Sequence, residues 1–279
     1  MTVKTILVCL TTKEHSPALL RAAVPLARQH GSHLVGLHTL EALEVYPGIA
    51  MHVTAEMFSA FNATQKEEAE AIKAIFDEHT SKEDFVSEYR LIQAQSKMAS
   101  DRMVESARAA DLVIMAQGDR EVDRYDQRHA QSAVIKQSGR PVIVVPNDFD
   151  GPPIGSKILI GWSDTREAAR AAHDVLPLAT QKAEITLLRV KTSASDELKD
   201  ADLLDLSTAL ARHGHRIDVR HTETAGTGIS DVLLKTAFEM GADLIVTGAY
   251  GHSTAFDFVV GATTSALLKS AGTPVLFSK

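Results

Sequence analysis

The chain is written twice. Pro25-Leu26-Ala27 returns as Pro177-Leu178-Ala179 after 152 residues, Ala110-Asp111-Leu112-Val113 as Ala242-Asp243-Leu244-Ile245 after 132, and Gly139-Arg140-Pro141-Val142 as Gly272-Thr273-Pro274-Val275 after 133. Two copies imply paired domains rather than a solenoid, and a length of 279 residues leaves each copy the size of an ordinary domain. The drop in offset gives the first copy about twenty extra residues between its first helix and its fourth strand, which we place near 41–64. With Tyr46, Met51, Met57, Phe58 and Phe61, this insertion is apolar for a connection, and it reads as a helix extension packed on the neighbouring domain ahead of a flap that covers a partner or ligand.

Within each copy, apolar runs of strand length alternate with helical stretches. Residues 3–10 read as a buried strand, Ser16-Pro17 as the N-cap and first position of a helix that Gly31 closes, and 32–40 as a second strand. Strand, helix, strand in that order implies a right-handed crossover and a parallel pair. A charged helix over 65–78 and a strand over 85–92 continue the pattern. The second copy predicts strands near 156–162, 184–190, 216–222, 243–248 and 273–278, with helices at 165–181, 197–213, 229–240 and 261–271, and Asp164 and Glu167 as an N-cap-like pair. The class is α/β, two tandem doubly wound parallel five-stranded sheets: 1–146, a linker at 147–155 carrying Gly151-Pro152-Pro153, and 156–279.

Such sheets take ligands beyond the carboxyl ends of their strands, where the strand order reverses. In the second copy the run Ala242 to Thr247 stops at Gly248, and Gly248-Ala249-Tyr250-Gly251 leads on to Gly261-Ala262-Thr263-Thr264, where a helix starts. The first amides of a helix lack internal partners and its dipole favours an anion there. Glycines at 248, 251 and 261 would let backbone N–H groups approach a polyphosphate, with Ser253, Thr263 and Thr264 as further donors. The other reading, turn glycines and a packing or cap glycine, is equally open from spacing alone.

The pattern Gly-x-x-Gly, nine residues, Gly-small-x-Thr, followed by Thr273-Pro274-Val275-Leu276, resembles the ATP-binding signature of universal stress proteins. That resemblance implies a Rossmann-like sheet of order 3-2-1-4-5 and a loop that holds ribose and phosphates. Ala262 stands where the family usually has Ser or Thr, and Ser163 where an Asp commonly closes the first strand, with Asp164 one step later. Val190, at the end of the second strand, is implied as an apolar wall for the base, whereas taken on its own a terminal strand valine reads first as core. The loop Thr224 to Ile229 reads either as a second wall or as an ordinary β-to-α turn with Thr227 or Ser230 near a cap.

The first copy departs from the signature. Ala116, Asp119 and Arg128 stand opposite the three glycines, and Asp119, Glu121 and Asp123 bring negative charge to the loop, so this half is expected not to bind nucleotide and to serve as a partner in an intramolecular pseudo-dimer.

Other chemistries are excluded by what is missing. Neither Cys9-Leu10-Thr11-Thr12-Lys13 nor Gly161-Trp162-Ser163-Asp164-Thr165 supplies the Gly-x-Gly-x-x-Gly of a dinucleotide site, and the Gly-Lys-Ser/Thr of a P-loop is absent. Gly251-His252-Ser253-Thr254-Ala255 lacks the last glycine of a nucleophile elbow. His213, His215 and His221 read as exposed polar groups, and no metal site is expected beyond Mg2+ carried by a nucleotide. Cys9, the lone cysteine, lies in an apolar run and reads as buried and inert. A net charge of −7 without a basic stripe argues against nucleic acid, and no apolar run reaches membrane-span length, so a cytoplasmic protein is expected. The resulting expectation is an adenine-nucleotide module, ATP with or without Mg2+, with at most slow hydrolysis because only Asp164 or His252 offers a base. The alternative is a scaffold of the same fold that oligomerises without nucleotide.

Overall fold

The computed structural model describes residues 2–41, 48, 54–94, 98–119, 121–123, 129–191, 200–224, 226–251 and 261–279. In the first half these form β1 (Thr5–Cys9), α1 (Ser16–His30), β2 (His33–Leu40), α2 (Ala55–Thr80), β3 (Ser87–Gln93), α3 (Ala99–Ala107), β4 (Leu112–Ala116), α4 (Ala130–Gln137) and β5 (Val142–Val145). The second half forms β6 (Lys157–Trp162), α5 (Arg166–Asp174), β7 (Glu184–Lys191), α6 (Asp200–Ala211), β8 (Arg216–Glu223), α7 (Ile229–Met240), β9 (Leu244–Gly248), α8 (Ala262–Ser270) and β10 (Val275–Ser278).

Each half has the order 3-2-1-4-5, but the two sheets are not separate. They join as one ten-stranded sheet, β3-β2-β1-β4-β5-β10-β9-β6-β7-β8. Every neighbouring pair is parallel except β5 and β10, which run antiparallel with Leu276 opposite Ile143. The reason lies in these two strands. Both are short, apolar and wholly buried, and each would otherwise be an open edge of its own half. The outer edges, β3 and β8, are instead exposed and charged, with Arg90 paired to Glu88 and Arg220 to Asp218.

Alternation along the central strands divides the core. Ile6, Val8, Ile158, Ile160, Leu244 and Val246 face α1, α2, α5 and α6, while Leu7, Cys9, Leu159 and Ile245 face α3, α4, α7 and α8. The repeated Ala-Asp-Leu motif has a structural purpose. Asp111 Oδ2 accepts from the N–H groups of Lys4 and Thr5, and Asp243 accepts from those of Gly155, Ser156 and Lys157, so each carboxylate fixes the chain as it enters the first strand of its half.

Three local expectations change. Ser16 lies inside α1 rather than capping it, and its hydroxyl donates to the Thr12 carbonyl at 2.6 Å. α2 begins at Ala55, well before residue 65, because Thr54 caps it by accepting from Met57 N. Residues 42–47 and 49–53 of the insertion lie outside the described residues. The described part does extend a helix, but Met57 and Phe58 on it are 54% and 40% exposed rather than packed on the other half. Among the described residues no helix is long and apolar enough to cross a membrane.

Candidate functional site

In the second half Gly161 pairs with Thr247 across β6 and β9, and Trp162 with Arg189 across β6 and β7. Ser163, Val190 and Gly248 therefore lie at the carboxyl ends of three adjacent strands. β6 is the strand from which the chain leaves outward to β7, while β9 continues the other way to β10, so this is where the order reverses.

The far end of the glycine loop returns to the same place. Gly261 caps α8 with φ +94°, and a Cβ there would lie 3.2 Å from the Tyr250 ring. Tyr250 N donates to Thr264 Oγ1 at 3.5 Å, a long contact. Since Gly261 has no side chain to cap the helix, the first amides of α8 are not answered from that position. Ala262 is exposed and Thr263 partly so, at the first turn. Ser253 and His252 lie outside the described residues.

The glycines at 248 and 251 also make room for α5. A Cβ on Gly248 would stand 2.5 Å from Ala168 N and 2.6 Å from the carbonyl carbon of Glu167, so β9 ends flush against the first turn of α5. A Cβ on Gly251 would stand 3.2 Å from Glu167 Oε2. The side these glycines leave bare is taken up by protein.

Glu167 is the residue that sequence reasoning placed wrongly. The cap of α5 is Thr165, whose Oγ1 accepts from Ala168 N at 3.2 Å, not the pair Asp164 and Glu167. Glu167 turns inward under the loop, 3% exposed, and accepts a hydrogen bond from Arg166 Nε at 2.7 Å. Glu167 in turn raises the Arg166 guanidinium pKa, first through that hydrogen bond. Ser163 and Asp164 are exposed, with Ser163 Oγ 3.2 Å from Thr165 Oγ1. Tyr250, between the glycines, was also passed over, although an aromatic residue inside a glycine loop is a legible signal.

Val190 is half-buried and packs against the core. After β8, Thr227 Oγ1 donates to the Thr224 carbonyl, and Gly228, the N-cap of α7, donates its N–H to Asp231 Oδ2, with Thr227 and Ser230 close to that cap. Ala225 is outside the described residues.

In the first half the corresponding loop is closed by its own carboxylates. Asp119 N donates to Asp123 Oδ2 at 2.7 Å and Glu121 N to Asp119 Oδ1 at 2.9 Å, while Asp123 is 7% exposed. Ala116 O accepts from Gln131 Nε2 at 3.0 Å. The backbone N–H groups of Asp119 and Glu121 are thereby engaged. Arg128 is outside the described residues, and among those described no group of three His, Cys, Asp or Glu is arranged to hold a metal ion.

The profile of the universal stress protein family matches residues 2–146 and again 156–279. Among solved structures, a universal stress protein from Archaeoglobus fulgidus DSM 4304 is similar over 98% of this chain and 96% of its own, with TM-score 0.69 and 16% identity. A functionally unknown protein from Pseudomonas aeruginosa PAO1 is similar over 99% and 92%, with TM-score 0.58 and 16% identity. No curated protein matches the chain.

Proposed function

The chain belongs to the universal stress protein family in two consecutive copies, and from this we propose that its carboxyl-terminal half binds an adenine nucleotide, ATP with or without Mg2+, as a cytoplasmic stress-response module. The amino-terminal half acts as its partner in an intramolecular pseudo-dimer. One observation carries the reading: the ends of β6, β7 and β9 converge with the glycine-capped start of α8 on one edge of the sheet. Gly261, Ala262 and Thr263 would receive the phosphates at the positive end of α8, and Ser253 would be a further donor. Gly248 and Gly251 would form the floor, Ser163 and Asp164 the ribose side, and Val190 the wall for the base. These residues fit a nucleotide at its phosphate end. Any magnesium would arrive on the phosphates, and no step of hydrolysis is assigned.

The second reading, a scaffold that binds no nucleotide, draws on Glu167. A buried carboxylate beside Gly251 opposes an anion, although Arg166 lies against it and offsets part of that charge. Mass spectrometry of small molecules released from the purified protein, with calorimetric titration of ATP and magnesium, separates the two. ATP or ADP bound to wild type, and lost in Gly261→Asp, supports the nucleotide module. No release and no heat replaces it with the scaffold.

A further inference from the structure

We infer that the amino-terminal half holds the glycine loop of the carboxyl-terminal half in shape, with Ser132 and Lys136 as positioning residues that act through Tyr250. The inference rests on the reading of that loop as a nucleotide site.

Tyr250 has φ +53°. A bulky side chain rarely occupies the left-handed region, and among the described residues Lys182 is the only other residue besides glycine that does so. Such a conformation persists only where surrounding contacts over-determine it. Two of those contacts come from the other half. The Tyr250 hydroxyl lies 2.6 Å from Ser132 Oγ, and Lys136 Nζ stands 4.1 Å from the ring centroid. Ser132 and Lys136 are four residues apart on α4 and so share one face of it. On its own side, the same ring abuts Gly261 at the start of α8. Tyr250 thus ties the loop and the anion-binding end of α8 to a helix of the first half.

The tie runs in one direction. α8 carries the same pair, Ser265 and Lys269, each 133 residues after Ser132 and Lys136. The residue of the first half that corresponds to Tyr250 is Gly118, which has no side chain to meet them. The half whose own loop is closed by Asp119 and Asp123 retains the helix that steadies the other loop. A clasp that served only to glue the halves together would not need its aromatic residue between Gly248 and Gly251.

The test uses the full chain with Ser132→Ala, Lys136→Met, the double variant and Lys136→Arg. Hydrogen exchange of the peptide covering 244–251 is measured without nucleotide, and ATP and AMP affinities by calorimetry. The double variant is expected to exchange faster at 249–251 and to bind ATP and AMP about fivefold or more weakly, to the same extent for both. Lys136→Arg, which keeps the cation on the ring, is expected to match wild type. Wild-type exchange and affinity in the double variant overturn the inference, as does a loss confined to ATP, which would make Lys136 a phosphate contact. If wild type binds no nucleotide, the nucleotide reading falls and the exchange at 249–251 alone decides whether α4 holds the loop.

Discussion

His15 Nε2 stands 3.6 Å from Asp119 Oδ2 in the first half, at the two positions that Glu167 and Gly251 occupy in the second. Ile6 pairs with Leu112 and Ile158 with Leu244, which sets the offsets of 152 and 132 on which the equivalence rests. One half therefore places a base under an acid. The other places an acid under a bare backbone. A carboxylate at 251 would face the buried Glu167 with no partner for its charge. Gly251→Asp is expected to destabilise the protein by about 2 kcal/mol, and adding Glu167→His, which recreates the pair of the first half, to recover a good part of that. Urea denaturation of the two variants and wild type measures both. Equal stability of the single and double variants would show that the two sites are not equivalent in energy.

Gly248 is a close-packed position. The atoms that a Cβ would meet at 2.5 and 2.6 Å belong to the backbone of α5 and cannot rotate away. Gly248→Ala is expected to cost about 3 kcal/mol, at the upper end of overpacking effects. In contrast, Gly272→Ala, where a Cβ meets nothing within 4 Å, is expected to stay within about 0.5 kcal/mol of wild type. Thermal unfolding of the two variants gives the comparison.

The division between what was legible and what was not follows from these contacts. The strands, the helices and the repeat could be read because period, length and turn residues are local properties, whereas the strand order followed only from the family resemblance; Asp111 and Asp243 announced themselves by recurring. The join of β5 to β10 could not, since nothing in Val142–Val145 or Val275–Ser278 says which apolar edge it will cover. At the site, the position of Gly261 before a helix was legible from its neighbours. That Gly248 and Gly251 make room for α5, and that Glu167 turns inward while Thr165 caps, depend on a crossing of elements eighty residues apart in the chain.

Asp243 offers a direct measure of how the second half is anchored. Its carboxylate, 9% exposed, accepts three backbone hydrogen bonds at 2.8 Å from Gly155, Ser156 and Lys157. Asp243→Ala would leave those donors unanswered, and about 3 kcal/mol of stability is expected to go with them. Asp111→Ala loses two such bonds, from Lys4 and Thr5, at a more exposed place, and about 1 kcal/mol is expected. Equal losses in urea denaturation would contradict this assignment.

Cys9 lies in the middle of the sheet with no exposed surface, and burial pushes its thiol up to about 12 from an ordinary value of 9.0. Because the folded pKa is raised, the unfolded chain loses the proton first. The stabilisation of the neutral thiol is complete below pH 9.0 and declines between there and about 12, by about 1.4 kcal/mol for each pH unit. Wild type is therefore expected to lose more stability than Cys9→Ala when urea midpoints are compared at pH 8 and pH 10, the other groups that titrate in that interval being common to both proteins. The same burial predicts that iodoacetamide labels Cys9 at pH 8 only after unfolding. Rapid labelling of the native protein would mean that the sheet opens at β1, which no surface residue of the described core suggests.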